Sequence, residues 1–522
     1  MSRGAVRVWR PIDRRGTGAE QLLSAALFAF SAGFALMAVH ALAIGDGQTS
    51  AVFAICTAGS LILGSALRMI LLRHPIRAAR SGLLALVMFY TLGPLVIAVP
   101  LAELIPSFDI IDAYFEMCSA LSTTGASNIR EIDDIPRTLV LWRSICASFG
   151  GFVCLVAALA IFAPLSIGGF EVRHILDRPT ETPDRSRLAP ELYIDRREAV
   201  ERATWAARTL GIPYCGMIVL CMLGLAATGV PAFEALCYAF GAVSTTGFKV
   251  NSGGFAEYGS WLAELVLLLV IVPAAVGVAV HLQALRGRLR AYREDPECRY
   301  MIIAVLVVVA ILFLRHWIGA IETRSTDEFG AGLRALWGTL FMALSYITTA
   351  GFESADWEGA TAWSALRTPG IALVGLAIVG GGAASTAGGV KLIRAALLAK
   401  HSLNELARLT RPTEVRPIRS GANRVTQAAM RIVFVFVMLY VLAVVISSLA
   451  LTLAGLAMID ALMASISVLS NTGPLLPMIL DNPNAWADLP DAGKIVLCVG
   501  MIVGRMETLA VVALLSPRTW RK

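Results

Sequence analysis

An all-α membrane protein is predicted, with about ten transmembrane helices. Four pseudo-symmetric helix–pore-loop–helix repeats are expected around one ion pore, preceded by a two-helix N-terminal hairpin. Three observations carry this reading. The 522-residue chain is 57% hydrophobic and only 16% charged, and its mean hydropathy is +0.71, whereas soluble domains carry about 25% charged residues. Its apolar residues fall in runs of about 20, the length that crosses a bilayer. Four short stretches of one type also recur at near-even spacing: Ser122-Thr123-Thr124-Gly125, Ser244-Thr245-Thr246-Gly247, Thr348-Thr349-Ala350-Gly351 and Ser470-Asn471-Thr472-Gly473. Each follows an apolar segment too short to span, and such recurrence marks internal repeats.

The elements follow in order. Arg3, Arg7, Arg10, Arg14 and Arg15 precede an apolar run at 22–44. A signal peptide has an apolar core of only about 7–15 residues, so an uncleaved span is expected. A short loop with Asp46 leads to a second run at 51–72, which ends in Arg73, Arg77 and Arg80. From residue 81 a span, a short amphipathic helix, the Gly-terminated stretch and a return span repeat four times. The expected first spans are 82–101, 206–228, 301–321 and 432–456. The short helices are 110–121, 232–243, 333–347 and 460–469, and the returns are 138–165, 262–282, 368–398 and 494–515. The corresponding units are the hairpin at 1–80, repeat 1 at 81–170, and repeat 2 with a cytoplasmic linker at 171–295. Repeat 3, with a Gly-rich intramembrane loop, covers 296–425, and repeat 4 covers 426–522.

Charge sets the orientation. The loops at 73–80, 171–208, 286–293 and 391–431 and the tail with Arg518, Arg521 and Lys522 are basic. The opposite segments carry Glu131, Asp133 and Asp134; Glu353, Asp356 and Glu358; and Asp481, Asp488 and Asp491. Basic loops stay in the cytoplasm, so both termini are expected inside. The same bias accounts for the net charge of +7 without a nucleic-acid partner. The nine cysteines form no CxxC pair, which points to small buried apolar residues rather than a zinc site or disulfide framework.

Asp112, Glu234 and Asp460 occupy equivalent positions in three short helices, and Gly338 takes that position in the third repeat. Acids at a helix start are favoured by the helix dipole and act as caps. The far end of each short helix would direct its partial negative charge at the bilayer midplane. The stretch beyond cannot remain helical, and irregular backbone at membrane depth is tolerated only under protein cover or along a water-filled cavity. Glycine permits backbone angles that other residues avoid. Four such strands could turn carbonyl oxygens inward and replace the hydration shell of a cation, as in potassium-channel filters.

With these residues in view, the sequence resembles the TrkH/KtrB branch of the superfamily of potassium ion transporters. The resemblance is carried by LSTTGAS at 121–127, VSTTGF at 243–248, ITTAGF at 347–352, LSNTGP at 469–474, the run at 380–394 and GRME at 504–507 before Ser516-Pro517. It implies filter oxygens from Thr123 and Thr124, Thr245 and Thr246, Thr349 and Ala350, and Asn471 and Thr472. It also implies potassium over sodium, because Gly125, Gly247, Gly351 and Gly473 are all glycine. Potassium would be substrate, with no covalently bound cofactor. A homodimer, a cytosolic TrkA-like nucleotide-binding regulatory subunit and a bacterial inner-membrane location follow from the same resemblance.

Two further features bear on gating. The third return is interrupted by glycines, Gly380, Gly381, Gly382, Gly388 and Gly389 among them. A nucleotide-binding P-loop would need Gly-Lys-Ser/Thr after its glycines, but Val390 and Lys391 follow Gly389. A mobile obstruction below the filter is expected instead, and the resemblance implies the same. Arg505 lies deep in the last span, where an arginine is costly and faces the protein interior. It either caps carbonyls of the broken span or forms a positive barrier against the Gly-rich loop, and the resemblance favours the gate. Glu507 is two residues on and faces elsewhere. At the filter mouth, Lys249 follows Gly247 by two residues, as Glu353 follows Gly351, and an ion pair between them is expected. The alternatives are a sodium- or proton-coupled potassium symporter, for which Glu116 is the nearest acid, and a polytopic membrane enzyme. The six dispersed histidines form no catalytic motif for the latter.

Overall fold

The computed structural model describes residues 19–73, 81–163, 199–323, 328–359, 370–411, 419–420, 423–425 and 427–506. The N-terminal arginines, Arg77 and Arg80, most of the 171–208 linker, Glu507 and the basic tail lie outside the described residues. The chain opens with a hairpin of α1 (Ala19–Ala43) and α2 (Gly47–Arg73). Asp46 closes the turn by accepting the Thr49 amide at 3.0 Å and the Thr49 hydroxyl at 2.6 Å. Its charge thereby satisfies free N–H groups at the start of α2.

In repeat 1 the first span is α3 (Ser81–Ile97) with α4 (Val99–Leu104), and the short helix is α5 (Ile110–Leu121). A capping box starts α5: Asp109 accepts the Asp112 amide at 2.7 Å, and the Asp112 carboxylate faces the Asp109 amide. The return, α6 (Arg137–Ala157), continues into a π-helical segment, Ala158–Phe162. Repeat 2 has α7 (Ala199–Ala227), the short helix α8 (Ala232–Ser244), then α9 (Trp261–Ala274) and α10 (Val278–Leu285). Repeat 3 has α11 (Pro296–Thr323), α12 (Glu328–Ile347), α13 (Gly370–Val379) and, beyond the Gly-rich loop, α14 (Leu392–Thr410). Repeat 4 has α15 (Gln427–Leu453), the short helix α16 (Met458–Leu469), a further short helix α17 (Leu475–Leu480) and α18 (Asp491–Met506). Among the described residues, strand is confined to a two-residue antiparallel pair, Arg419–Ser420 with Asn423–Arg424.

Among the described residues seven helices are long and apolar enough to cross a membrane, and eight when α9 and α10 count as one bent span. The described parts of the third and fourth returns, α13 and α18, are shorter. The short helices follow the expected plan, and α5 spans the residues predicted for it. Their inner faces are buried, as Phe115, Met117, Ala239, Met342, Ala343 and Ala464 show. Side chains that remain exposed on the outer helices, including Ile55, Ile62, Leu220, Leu306 and Leu449, are apolar. That inversion of the soluble pattern is what lipid contact requires.

The second return departs from expectation. Residues 262–282 read as one continuous span, but the helix breaks after Ala274 and turns by 99° into α10. Pro273 has no amide to donate and so weakens the ladder at this point. The polar groups freed by the break find partners outside the helix. The Ala275 carbonyl accepts the Gly382 amide at 2.8 Å, and the Val278 amide donates to the Ala384 carbonyl at 3.0 Å. The Thr386 hydroxyl donates to Ala274 O at 3.0 Å, and a nitrogen of His281 lies 2.9 Å from Pro273 O. The break in repeat 2 and the Gly-rich loop of repeat 3 therefore satisfy each other.

Candidate functional site

All four short helices end in the same way. The residue two before each glycine is left-handed: φ is 55° at Thr123, 54° at Thr245, 57° at Thr349 and 51° at Asn471. The next amide reaches back five residues, Thr124 N to Ser119 O at 2.9 Å, Thr246 N to Gly241 O at 2.9 Å, Ala350 N to Ser345 O at 3.0 Å and Thr472 N to Ser467 O at 2.8 Å. This is a Schellman cap, whose left-handed position normally holds glycine. Threonine in that region costs of order 1–2 kcal/mol, and three of the four copies accept it. The same sparsely populated conformation thus recurs at four equivalent positions. The sequence reading assigned the unusual backbone to the glycines alone and missed these residues.

The glycines join the four stretches into a ring. A methyl group on Gly125 would stand 1.7 Å from Thr246 O, one on Gly247 1.7 Å from Ala350 O, one on Gly351 2.8 Å from Pro474, and one on Gly473 2.1 Å from Ala126 N. The nearest contacts run from repeat 1 to 2, 2 to 3, 3 to 4 and back to 1, and Pro474 of repeat 4 also lies near Gly125 and Gly247. Thr123, Thr124, Thr245, Thr246, Thr349, Ala350, Asn471 and Thr472 are all buried within it.

The ring is not fourfold. Gly125, Gly247 and Gly351 have φ of 79°, 68° and 73°, but Gly473 is not left-handed. Its amide donates to the Thr124 carbonyl at 2.6 Å, so the fourth stretch closes on the first. Asn471 Nδ2 donates to the Thr124 hydroxyl at 2.9 Å and to Met501 O at 3.2 Å, and Trp486 Nε1 donates to Gly473 O at 3.0 Å. Hydroxyl pairs stiffen the first two stretches, Ser122 with Thr124 at 2.7 Å and Ser244 with Thr246 at 2.6 Å. Ala350 leaves the third stretch without that pair.

Each return helix braces the next repeat. On α6, Arg143 donates to Glu116 Oε1 at 2.8 Å and to the Ser127 hydroxyl at 3.0 Å. Its other arm donates to Lys249 O, and its guanidinium lies 4.3 Å from the Phe248 ring centre. Glu116 also accepts the Asn128 amide at 2.9 Å. On α9, Glu264 accepts the Ala355 amide at 2.9 Å and Trp337 Nε1 at 2.6 Å. In repeat 3, Gly370 lies against Met478 of α17. On α18, Lys494 donates to Asp112 of repeat 1. Two expectations change here. Asp112 is more than a helix cap, since it binds Lys494 and Asn128 as well. Glu116 is fully buried in an ion pair with Arg143 and so is not the free acid that proton coupling would use.

The Gly-rich loop lies directly against the ring. Gly388 N donates to the Thr349 hydroxyl at 2.8 Å, and a methyl group on Gly388 would stand 2.0 Å from Ser470 O. Gly382 is tied to Ala275, Gly381 O accepts the Leu392 amide at 3.0 Å, and Gly389 turns with φ of 79°. Glu297 at the start of α11 accepts the Ala383 amide at 2.8 Å. Two cations bind successive loop carbonyls: Arg505 Nη1 donates to Thr386 O at 2.6 Å, and Lys391 Nζ donates to Ala387 O. Arg505 is 5% exposed, and its Nε and Nη2 are buried without hydrogen-bond partners among the described residues.

On the opposite side of the ring a vestibule of about 250 Å³ is lined by Gly125, Gly247, Gly351, Pro474, Lys249 and Glu353, among others. The expected Lys249–Glu353 ion pair does not close. The ammonium is nevertheless near enough to act on the half-buried carboxyl. Burial pushes Glu353 above the usual carboxylate range, Lys249 offsets part of that rise, and Glu358 adds to it.

A model of the TrkH family, described as cation transport protein, matches residues 52–522. The chain belongs to the TrkH family of cation transport proteins. It is 29% identical over 446 residues to the Trk system potassium uptake protein TrkH of Salmonella typhimurium, covering 85% of this chain and 86% of that protein. It is 30% identical over 452 residues to the protein of that name from Halomonas elongata, at 85% and 86% coverage. The crystal structure of the potassium transporter TrkH from Vibrio parahaemolyticus superimposes with a TM-score of 0.80 at 27% identity, covering 97% of this chain and 99% of that one. The TrkH family is one of transporters rather than enzymes. The TrkH match begins inside α2, so it takes in all four repeats.

Proposed function

We propose that this chain carries potassium ions inward across the bacterial inner membrane, driven by the membrane potential. The ions pass through the ring formed by Thr123-Thr124-Gly125, Thr245-Thr246-Gly247, Thr349-Ala350-Gly351 and Asn471-Thr472-Gly473. The observation that carries the reading is the order of contacts, in which each pore glycine meets the next repeat and the fourth returns to the first. In this reading, carbonyl oxygens of the four stretches replace the hydration shell of a dehydrated monovalent cation. The relatives named as potassium uptake proteins support the choice of ion.

The Gly-rich loop with Gly381, Gly382, Gly388 and Gly389, held by Arg505, is the gate in this reading. It faces the cytoplasm, where the basic loops also place both termini. A homodimer and a cytosolic nucleotide-binding regulatory subunit complete the assembly, as the family resemblance implies. The test is growth of a potassium-uptake-deficient bacterium at low external potassium. Expression of this chain restores growth in this account. Failure to do so under every ionic condition, with the protein present in the membrane and the regulatory subunit supplied, contradicts it.

A further inference from the structure

The four repeats differ most in charge just beyond the ring. Two residues after the pore glycine stand Ser127, Lys249, Glu353 and Leu475, so one repeat places an ammonium where the others do not. The position of Lys249 is built. Its carbonyl is held by Arg143, which is itself fixed by Glu116. Its stem lies over Gly254, where an added methyl group would stand 3.6 Å from the Lys249 Cγ, Cδ and Cε atoms. The side chain is exposed to the vestibule that also touches Gly125, Gly247, Gly351 and Pro474. Arg130, also on the vestibule wall, is bridged to Asp488 at 2.8 Å. Glu353 and Glu131 are the acids of the same wall, and neither forms an ion pair with Lys249 among the described residues.

We propose that Lys249 is a specificity-determining residue that selects monovalent over multivalent cations at the pore entrance. This rests on the potassium-pore reading above. Coulomb energy scales with the charge of the visiting ion. If the ammonium lowers the local concentration of a monovalent cation by a factor f, it lowers that of a divalent cation by f² and of a trivalent one by f³. Divalent ions that would lodge at the ring and block it are turned away, and potassium incurs the smaller penalty. Glu353 opposes this field and keeps f modest, of order two at vestibule distances in a water-like dielectric.

The experiment measures rubidium or potassium uptake by cells expressing the full chain, with external Mg²⁺ and hexamminecobalt(III) as blockers. Lys249→Gln lowers the apparent KM for potassium by about twofold, the Mg²⁺ inhibition constant by about fourfold and the trivalent constant by about eightfold. Lys249→Arg retains the wild-type values, and Glu353→Gln shifts all three the other way. High ionic strength compresses the differences, because screening shortens the field. Equal shifts for the three valences, or none while uptake continues, overturn the proposal. Absence of uptake by the unsubstituted chain overturns the transporter reading itself, and this inference with it.

Discussion

Arg505 Nη1 donates to the backbone carbonyl of Thr386 at 2.6 Å, joining the last helix to the loop that closes beneath the ring. The two residues belong to different repeats, and the contact leaves two further Arg505 nitrogens buried without partners among the described residues. In the proposed gate, that guanidinium fixes the loop and presents positive charge to an approaching cation. Arg505→Ala is expected to raise basal potassium flux severalfold, measured as uptake without the regulatory subunit. Arg505→Lys keeps the charge but lacks the planar fork, so its flux lies between the two. Unchanged flux and selectivity in Arg505→Ala contradict the gate.

Thr349 supplies the second tie between ring and loop, its hydroxyl accepting the Gly388 amide at 2.8 Å. Thr349→Val leaves that amide buried and unpaired, at a cost of about 1–3 kcal/mol to the closed arrangement. Higher basal uptake is expected in Thr349→Val and near-normal uptake in Thr349→Ser. Equal behaviour of the two variants would show that the hydroxyl does not hold the loop.

Glu116 and Arg143 form a buried pair between α5 and α6 within repeat 1, and Arg143 also reaches Lys249 O of repeat 2. Removing one partner strands the other charge, which typically costs about 3–5 kcal/mol. Glu116→Gln or Arg143→Met is expected to lower the thermal midpoint of the purified protein strongly, and the double variant to recover part of the loss. Additive losses in the double variant contradict the pairing.

External pH should act through Glu353. Burial raises its carboxyl and Lys249 only partly offsets the rise, so it takes up a proton at higher pH than an ordinary carboxylate. Protonation removes the negative charge that opposes Lys249. Apparent potassium affinity therefore falls as external pH drops through the raised value, and recovers above it. Glu353→Gln is expected to show the low-affinity behaviour at all pH values, read as KM against external pH.

Much of this architecture was legible locally. The α5 boundaries followed from Asp112 at one end and Ser-Thr-Thr-Gly at the other, signals within a few residues of the structure they specify, although the N-cap itself is Asp109. Repetition carried the ring, because four copies outweigh the ordinary meaning of one turn. What was illegible is long-range. The bend after Ala274 lies in an apolar run whose Pro273 and Gly277 hinted at it, but its cause is pairing with Gly382 and Ala384, more than a hundred residues on. Glu116 and Arg143 carry no shared motif, since their pairing depends on how α5 and α6 pack. Equivalence of repeat positions suggested a Lys249–Glu353 contact, but the Lys249 stem lies along Gly254, a neighbour set by the fold of its own loop rather than by the repeat. The left-handed Thr123, Thr245 and Thr349 were hidden because glycine, not threonine, is the expected residue for that conformation.

The central claim is a potassium-selective path through the ring, and it is tested most directly by ion flux into proteoliposomes under an imposed potential. The purified chain is expected to pass potassium and rubidium well above sodium. Gly125→Ser, whose side chain would collide with the Thr246 carbonyl, is expected to lose that preference. Equal potassium and sodium flux in the unsubstituted protein, or unaltered selectivity in Gly125→Ser, would contradict the account.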